Sequence, residues 1–314
     1  MNLTVSSAPH IRGNVRTDRL MLDVIIALIP SLVVGALVLG TRALIVTAVS
    51  VGTAVAVELL CGLIFKRKWT VLDLSAVVTG LLFAMILPVS VPYYVVAVGA
   101  AFAIVVGKVL WGGLGQNVFN PALLARAAVL LVFAASITRY PLVDATSGAT
   151  PLHQMVMGSL PKESLLDMFL GNRSGSIGEI SAVALLIGGA YLVIRKVISL
   201  RIPAFYLLTV AVMSAFFCKT GDPLTWALYN LLGGGVMLGA IFMATDYVTS
   251  PVTPWGQVVY GIGCGVFTVI FRNFGLFPEG VTYAILLMNL CAWTLDRYTA
   301  PRVYGRKKGG APHA

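Results

Sequence analysis

The sequence predicts an all-helical protein that crosses a membrane about ten times, and three observations lead to this prediction. Hydrophobic residues make up 58% of the 314 residues and charged residues only 11%, whereas soluble domains contain about 25% charged residues. The mean hydropathy is +0.92. The apolar residues also gather into long runs. An ordinary soluble enzyme is excluded, because a soluble fold of this size cannot bury so much apolar surface.

Ten apolar runs separated by polar connections are candidate membrane helices, although several are shorter than the ~20 residues that usually cross a bilayer. The first run follows a basic segment but is too long for a signal peptide and has no convincing cleavage site. The chain divides into an N-terminal segment (1–21), a transmembrane domain (22–296) and a basic tail (297–314). The ten runs are 22–39, 43–65, 74–89, 93–110, 121–137, 180–194, 202–218, 226–244, 258–271 and 281–295.

The basic residues predict the orientation in the membrane. If the ten runs alternate in direction, fifteen Lys and Arg residues fall on one side and six on the other. Cytoplasmic loops carry the excess of these residues, so both termini are expected in the cytoplasm and the long loop at about 136–177 outside. This distribution also accounts for the net charge of +10 without a nucleic-acid partner.

The four cysteines predict no metal or iron–sulfur site in this chain. Cys61, Cys218, Cys264 and Cys291 are scattered through apolar runs, and no two of them form a C-x-x-C pair. No histidine lies at zinc-ligand spacing either. We interpret these cysteines as small, buried hydrophobic residues.

A weak internal repeat is visible when the sequence is shifted by 159 residues. Gly80, Phe83 and Pro92 then fall on a second glycine, phenylalanine and proline. The first set belongs to a run directed outward and the second to a run directed inward. The pattern indicates an inverted five-plus-five repeat, which is familiar from secondary transporters.

Two segments interrupt the apolar pattern. In 111–121, glycines precede Asn120, which can cap the next helix, and Pro121, which suits its first turn. Later, three glycines at 233–235 precede a polar stretch at 245–254. Polar backbone at membrane depth is tolerated around a cavity or a ligand. The alternative is that the glycines permit close helix packing and the polar residues form ordinary cytoplasmic loops.

The outward loop carries the motif D-x-x-S-G-A-T, formed by Asp144, Ser147, Gly148, Ala149 and Thr150. Taken alone, it is a turn of small residues that presents hydroxyl groups beside one acid. The motif resembles the signal at which a flavin transferase joins FMN to a threonine through a phosphodiester.

Two further motifs narrow this resemblance. G-x-x-Q-N-x-F-N-P-A precedes the loop at 113–122, and M-A-T-D-x-V-T-S-P follows it at 243–251. With these motifs the chain resembles, over nearly its whole length, the NqrB/RnfD membrane subunits of ion-pumping respiratory oxidoreductases. Only about twenty residues precede the first apolar run, which favours the Rnf branch, whose complexes link ferredoxin and NAD.

The resemblance implies a flavoprotein of the bacterial or archaeal cytoplasmic membrane that relays electrons and is not active alone. Thr150 would carry covalent FMN, and the rest of the motif would be read by the flavin transferase. A second, non-covalent flavin, riboflavin, is expected between the helices, and we assign Asn117, Asn120 and Asp246 to its surroundings. Implied partners are an FMN-bearing subunit and iron–sulfur subunits, which would carry the NAD and ferredoxin chemistry.

Glu58 is the candidate for an ion path, because it lies within an apolar run where a carboxylate costs about 2.5–3.5 kcal/mol. The alternative is a structural ion pair with Arg126. Asp23 lies near a predicted cytoplasmic end, where water or a lysine could satisfy it. Na⁺ and H⁺ are not distinguished by the residue spacing. The rival function is a solute channel or secondary transporter without flavin.

Overall fold

The computed structural model describes residues 16–65, 71–137, 151–161, 163–171, 175–275 and 280–301. All regular structure within these ranges is helical, which confirms the predicted all-α class. The helices are α1 (Thr17–Leu39), α2 (Thr41–Ile64), α3 (Ser75–Met85), α4 (Tyr93–Ile104), α5 (Pro121–Val132), α6 (Ala134–Ile137), α7 (Pro151–Val156), α8 (Leu165–Leu170), α9 (Ala182–Ile194), α10 (Arg201–Phe216), α11 (Pro223–Leu232), α12 (Val236–Leu238), α13 (Pro254–Phe274) and α14 (Val281–Thr299).

Three of these helices, α1, α2 and α13, are long and apolar enough to cross a membrane by themselves. The pair formed by α11 and Val236–Met243 passes the same test but is bent by 65°. Several other apolar helices have 10–17 residues. At 1.5 Å per residue such helices fall short of about 30 Å of hydrocarbon. The protein is therefore a polytopic helical membrane protein, and the count of ten spans stays a prediction.

The helices pack in a similar order in the two halves of the chain. In the first half α2 contacts α3 and α4, and in the second half α10 contacts α11 and α13. The halves meet where α1 contacts α9 and where α5 contacts α14. At the first of these contacts Asp23 accepts hydrogen bonds from Tyr191, at 2.8 Å, and Arg195, at 3.4 Å. These two residues take the place of the predicted water or lysine.

Small residues allow the helices to approach closely, as is common in membranes. Gly80 of α3 lies against α2, where an added Cβ would be 2.8 Å from Val51 Cα. The Ser50 hydroxyl donates to the Gly80 carbonyl at 2.6 Å across the same contact.

The predicted burial of the cysteines is correct only for Cys264. Cys61 and Cys218 are partly exposed, and Cys291 is exposed on α14. The prediction fails because a helix surface that faces lipid is as apolar as one that faces the protein core. Apolar surroundings in the sequence therefore do not distinguish the two positions.

Candidate functional site

A large cavity lies where several helix ends and connecting segments meet. Its volume is about 880 Å³, counting the part that is open to the outside, which is within the range of small-molecule sites. Most of its wall is apolar. The lining residues are Leu20, Met21, Val24, Ser75, Val78, Thr79, Leu82, Lys108, Leu114, Asn117, Asn120, Pro121, Ala122, Leu192, Val197, Ile198, Phe242, Thr245, Asp246, Tyr247 and Val248.

The cavity brings together the three residues that the sequence motifs assign to a second flavin. Asn117, Asn120 and Asp246 all line it, although Asp246 is more than 120 positions along the chain from the two asparagines. Both asparagines are buried. The Asn117 amide donates to the Phe119 carbonyl at 3.2 Å. The interrupted segments thus border a cavity, as the first of the two interpretations of these segments predicts.

Asn120 joins the two interrupted segments. Its side-chain oxygen accepts from the backbone N–H groups of Ala122 and Leu123, which confirms the predicted cap of α5. Its side-chain nitrogen donates to the Met243 carbonyl at 3.3 Å. One side chain therefore fixes the start of α5 against the end of the bent second-half helix.

Asp246 is the one acidic residue among the described residues that line the cavity. Its carboxylate accepts a hydrogen bond from Thr249 Oγ1 at 3.0 Å. Burial raises the pKa of the Asp246 carboxyl, while this bond and the backbone N–H groups of Val248 and Tyr247 act in the opposite direction. The net effect favours the protonated acid more than in water.

A buried ion pair borders the same cavity. The Lys108 ammonium lies 2.5 Å from Glu58 Oε1 and 2.6 Å from Ser75 Oγ. The Glu58 and Lys108 side chains are each only 4% exposed. The alternative that paired Glu58 with Arg126 is wrong in its choice of cation, because Lys108 holds this carboxylate. The charge count places Lys108 with the basic residues of a cytoplasmic loop, yet its position inside the run 93–110 is a sign that it is buried.

Two π-helical segments flank the cavity. Val105–Val109 continues α4 and contains Lys108, and Gly239–Met243 follows α12 and contains Phe242. Each π turn adds a residue to the helical repeat and redirects the side chains that follow, and such turns are frequent at functional sites. The widened turn allows Lys108 to reach Glu58 on α2 and Ser75 on α3.

Strained backbone also occurs at the cavity. Leu74 and Lys196 are the non-glycine residues of the described ranges that have positive φ, at 58° and 57°. Leu74 directly precedes Ser75, which bonds Lys108, and Lys196 directly precedes Val197 in the cavity wall. Left-handed backbone at such residues is costly and concentrates at functional sites.

The flavinylation motif, Asp144, Ser147, Gly148, Ala149 and Thr150, lies outside the described residues. The structure does describe the chain from position 151 onward, where α7 begins directly after the motif.

Contacts with the second half of the chain hold α7 and the turn after it. Leu152 is buried and packs against Gly234, where an added Cβ would collide with it. Lys219 donates to the Val156 carbonyl at 3.0 Å, and Thr220 donates to the Gly158 carbonyl at 2.7 Å. The segment that follows Thr150 is therefore fixed over the break between α11 and α12.

A smaller cavity lies at that break. Its volume is about 300 Å³, counting its open part, and Arg126, Glu179, Gly234 and Gly235 are among its lining residues. Arg126 is 4% exposed and Glu179 9%. The Ser176 hydroxyl donates to Glu179 Oε2 at 3.0 Å. Arg126 is thus inside the protein, as its place in an apolar run predicted, but it serves this second cavity.

Comparison with known proteins identifies the family. The NQR2, RnfD, RnfE family matches residues 4–305. The chain belongs to this family. A relative from Acetobacterium woodii, the D component of a Na⁺-translocating ferredoxin:NAD⁺ oxidoreductase complex, is 48% identical, with 98% of this chain and 97% of the relative covered. The D component of a proton-translocating ferredoxin:NAD⁺ oxidoreductase complex from Clostridium ljungdahlii is 38% identical, with 97% of each chain covered.

A third relative of this NQR2, RnfD, RnfE family member comes from Stutzerimonas stutzeri. It is the D component of an ion-translocating oxidoreductase complex and is 37% identical, with 94% of each chain covered. The coverage shows that the resemblance inferred from three short motifs extends over the whole chain.

Sequence reasoning about this family member missed one further buried cation, Arg272. The charge count places it in an outer loop, but its side chain is buried at the end of α13. The guanidinium donates to the carbonyls of Asn230, at 2.6 Å, and Gly233, at 2.7 Å. Arg272 thereby satisfies carbonyl groups that the end of α11 leaves without helical partners.

Proposed function

We propose that the chain is the RnfD component of an Rnf-type complex. It relays electrons between ferredoxin and NAD through covalent FMN on Thr150 and a second, non-covalent flavin, with coupling to ion transport. Family membership and the three relatives that are D components of such complexes support this assignment. The observation that carries the flavin part is the motif from Asp144 to Thr150 in a chain of this family.

Thr150 acts as a tether in this proposal. Its hydroxyl forms the phosphoester, and the flavin ring supplies the redox chemistry. Asp144, Ser147, Gly148 and Ala149 form the signal that the flavin transferase reads. The contacts of Lys219 and Thr220 with the segment after α7 support a fixed attachment point for the tether.

The large cavity fits a second flavin by size and chemistry. A flavin has an apolar, flat ring system with a row of hydrogen-bond donors and acceptors along one edge. The cavity offers apolar walls from α1, α3 and α9 together with the amides of Asn117 and Asn120. An amide side chain both donates and accepts, and a few placed polar groups in an apolar pocket are typical of cofactor sites.

A flavin bound there would supply one- and two-electron chemistry, and the protein would supply position and environment. The apolar residues would exclude water from the ring. The asparagines would orient its polar edge, and Asn120 would also hold α5 against Met243. Lys108 would bring a positive charge balanced by Glu58.

Ion transport is the less detailed part of the proposal. Glu58 is our candidate for the ion path, and Lys108 would be its resident cation in the resting state. Ten spans in an inverted repeat, with both termini in the cytoplasm, complete the proposed architecture. One relative belongs to a Na⁺-translocating complex and another to a proton-translocating complex, so the proposal covers both ions.

The partners follow from the division of labour within such a complex. A subunit with its own FMN would exchange electrons with the flavin on Thr150. Iron–sulfur subunits would carry the ferredoxin and NAD chemistry. The flavin transferase would be a transient partner during maturation in the cytoplasmic membrane of the cell.

The rival function is a solute channel or secondary transporter. The 65° bend between α11 and Val236–Met243 favours it, because interrupted helices are common in transporters. The flavinylation motif opposes it, because a transporter without flavin has no use for this signal. Replacement of the predicted tether distinguishes the two functions.

Replacing Thr150 by valine removes the hydroxyl at nearly constant volume. In membranes that contain the assembled complex, Thr150→Val is expected to abolish ferredoxin-dependent NAD⁺ reduction. Thr146→Val, in the same loop, is the matched control and should retain it. Copurification of the other subunits verifies assembly. Wild-type rates in an assembled Thr150→Val complex would contradict the proposed relay.

A further inference from the structure

The large cavity contains one positively charged side chain among its described lining residues, Lys108. Its ammonium group has three N–H donors. Two of them are directed to Glu58 Oε1 and Ser75 Oγ. Within the described part of the chain this ammonium makes no other hydrogen bond, and the side chain itself forms part of the cavity wall. One donor is therefore available to a molecule bound in the cavity.

The charge of Lys108 is balanced in the resting protein. Glu58 neutralises it at 2.5 Å, and the pair is buried together. The other charged group that faces the cavity is Asp246, whose carboxylate accepts from Thr249. The cavity wall next to Lys108 is thus close to neutral, and it suits a neutral ligand that becomes anionic.

A flavin is such a ligand. The oxidised ring is neutral, and uptake of two electrons and one proton gives an anion whose charge is shared by N1 and the C2 carbonyl oxygen. A hydrogen bond from an ammonium group to an anionic acceptor is about twice as strong as one to a neutral acceptor. The local low dielectric increases this difference.

We propose that Lys108 binds the polar edge of the cavity flavin and selectively stabilises its reduced, anionic form. This inference rests on the proposed second flavin and gives a role to a residue that the charge count alone places in a loop. Glu58 and Ser75 are positioning residues in this scheme, because they hold the ammonium at the cavity wall. The π turn at Val105–Val109 provides the helix geometry for that position.

The test compares the affinity of the purified complex for isotope-labelled riboflavin in air and under dithionite, which supplies the electrons. Equilibrium dialysis gives a dissociation constant in each state, and their ratio is the preference for reduced flavin. The main variant is the double substitution Lys108→Met with Glu58→Gln, which removes both charges and leaves no unpaired buried ion. Lys108→Arg retains the charge, and Lys219→Met removes a lysine beyond the far end of α10.

The wild-type complex is expected to bind reduced riboflavin more tightly than oxidised riboflavin. The double variant should bind oxidised riboflavin nearly normally and lose the preference by about tenfold, as expected for one charge-assisted hydrogen bond. For a two-electron couple this equals a fall of about 30 mV in midpoint potential. Lys108→Arg and Lys219→Met should retain the preference.

Two results would overturn the inference. If the double variant keeps the full preference, Lys108 does not contact the reduced ring. If it loses both forms of riboflavin equally while the complex stays assembled, Lys108 only shapes the cavity. If the wild-type complex binds no riboflavin in either state, the inference fails together with the proposed second flavin, and this result is distinct from the other two.

Discussion

Individual polar residues set the chemistry of the large cavity, and they differ in how far the sequence reveals them. The cap formed by Asn120 was predictable because Asn-Pro before an apolar run is a local signature of a helix start. The Glu58–Lys108 pair was not, because its members are 50 positions apart. The π turn that directs Lys108 inward also has no simple signature in composition or periodicity.

The role of Glu58 is tested by replacing it with glutamine. Glu58→Gln is expected to impair ion translocation per assembled complex while covalent flavin on this chain is retained, because a neutral amide cannot attract a cation as a carboxylate does. Breaking a buried ion pair destabilises by about 3–5 kcal/mol, so the amount of assembled complex is measured in parallel. Asp222→Asn removes an exposed carboxylate that caps α11 and serves as the control. Unchanged translocation would return Glu58 to a structural role.

Helices in this protein are interrupted where the sequence places glycines and polar residues. The break between α11 and α12 lies at Gly233–Gly235, as the sequence predicted, since Gly234 and Gly235 adopt positive φ of 66° and 69°. The lengths of α3, α5 and α9 were not predictable, because an apolar run continues beyond the helix end into buried non-helical backbone. For example, Ile86 and Leu87 are buried after α3 has ended.

Arg272 stabilises the break between α11 and α12, and its replacement should weaken the bent element. Arg272→Met removes the donors to the carbonyls of Asn230, Gly233 and Gly234. Each buried carbonyl left unsatisfied costs about 1–3 kcal/mol. We expect the free energy of unfolding to fall by at least about 3 kcal/mol in detergent denaturation. Arg297→Met, at the exposed end of α14, is the matched control; equal stability of the two variants would contradict this role.

The whole molecule has the apolar helical character that its composition predicts, and the two halves pack helices in a similar order. Composition was sufficient for the class because so many apolar residues cannot be buried in a soluble fold of this size. The number of spans and their direction depend on the bilayer, which composition describes only through the distribution of Lys and Arg.

The predicted orientation is tested by cysteine labelling in intact cells, with the four native cysteines replaced by alanine. Ser159→Cys, in the exposed turn after α7, should react with an impermeant thiol reagent. Arg201→Cys, at the exposed start of α10, should react only after the cells are opened. The reverse pattern would place the Thr150 loop in the cytoplasm and reject the orientation.

The central claim is that Thr150 carries covalent flavin, and it is tested most directly by fluorescence of the denatured chain on a gel. Wild type, Thr150→Val and Thr146→Val are expressed in a host that contains an active flavin transferase. Flavin fluorescence should survive denaturation in wild type and Thr146→Val and be absent from Thr150→Val, because only the covalent phosphoester resists unfolding. A dark wild-type band beside a second, fluorescent substrate of the transferase would contradict the claim and favour the transporter.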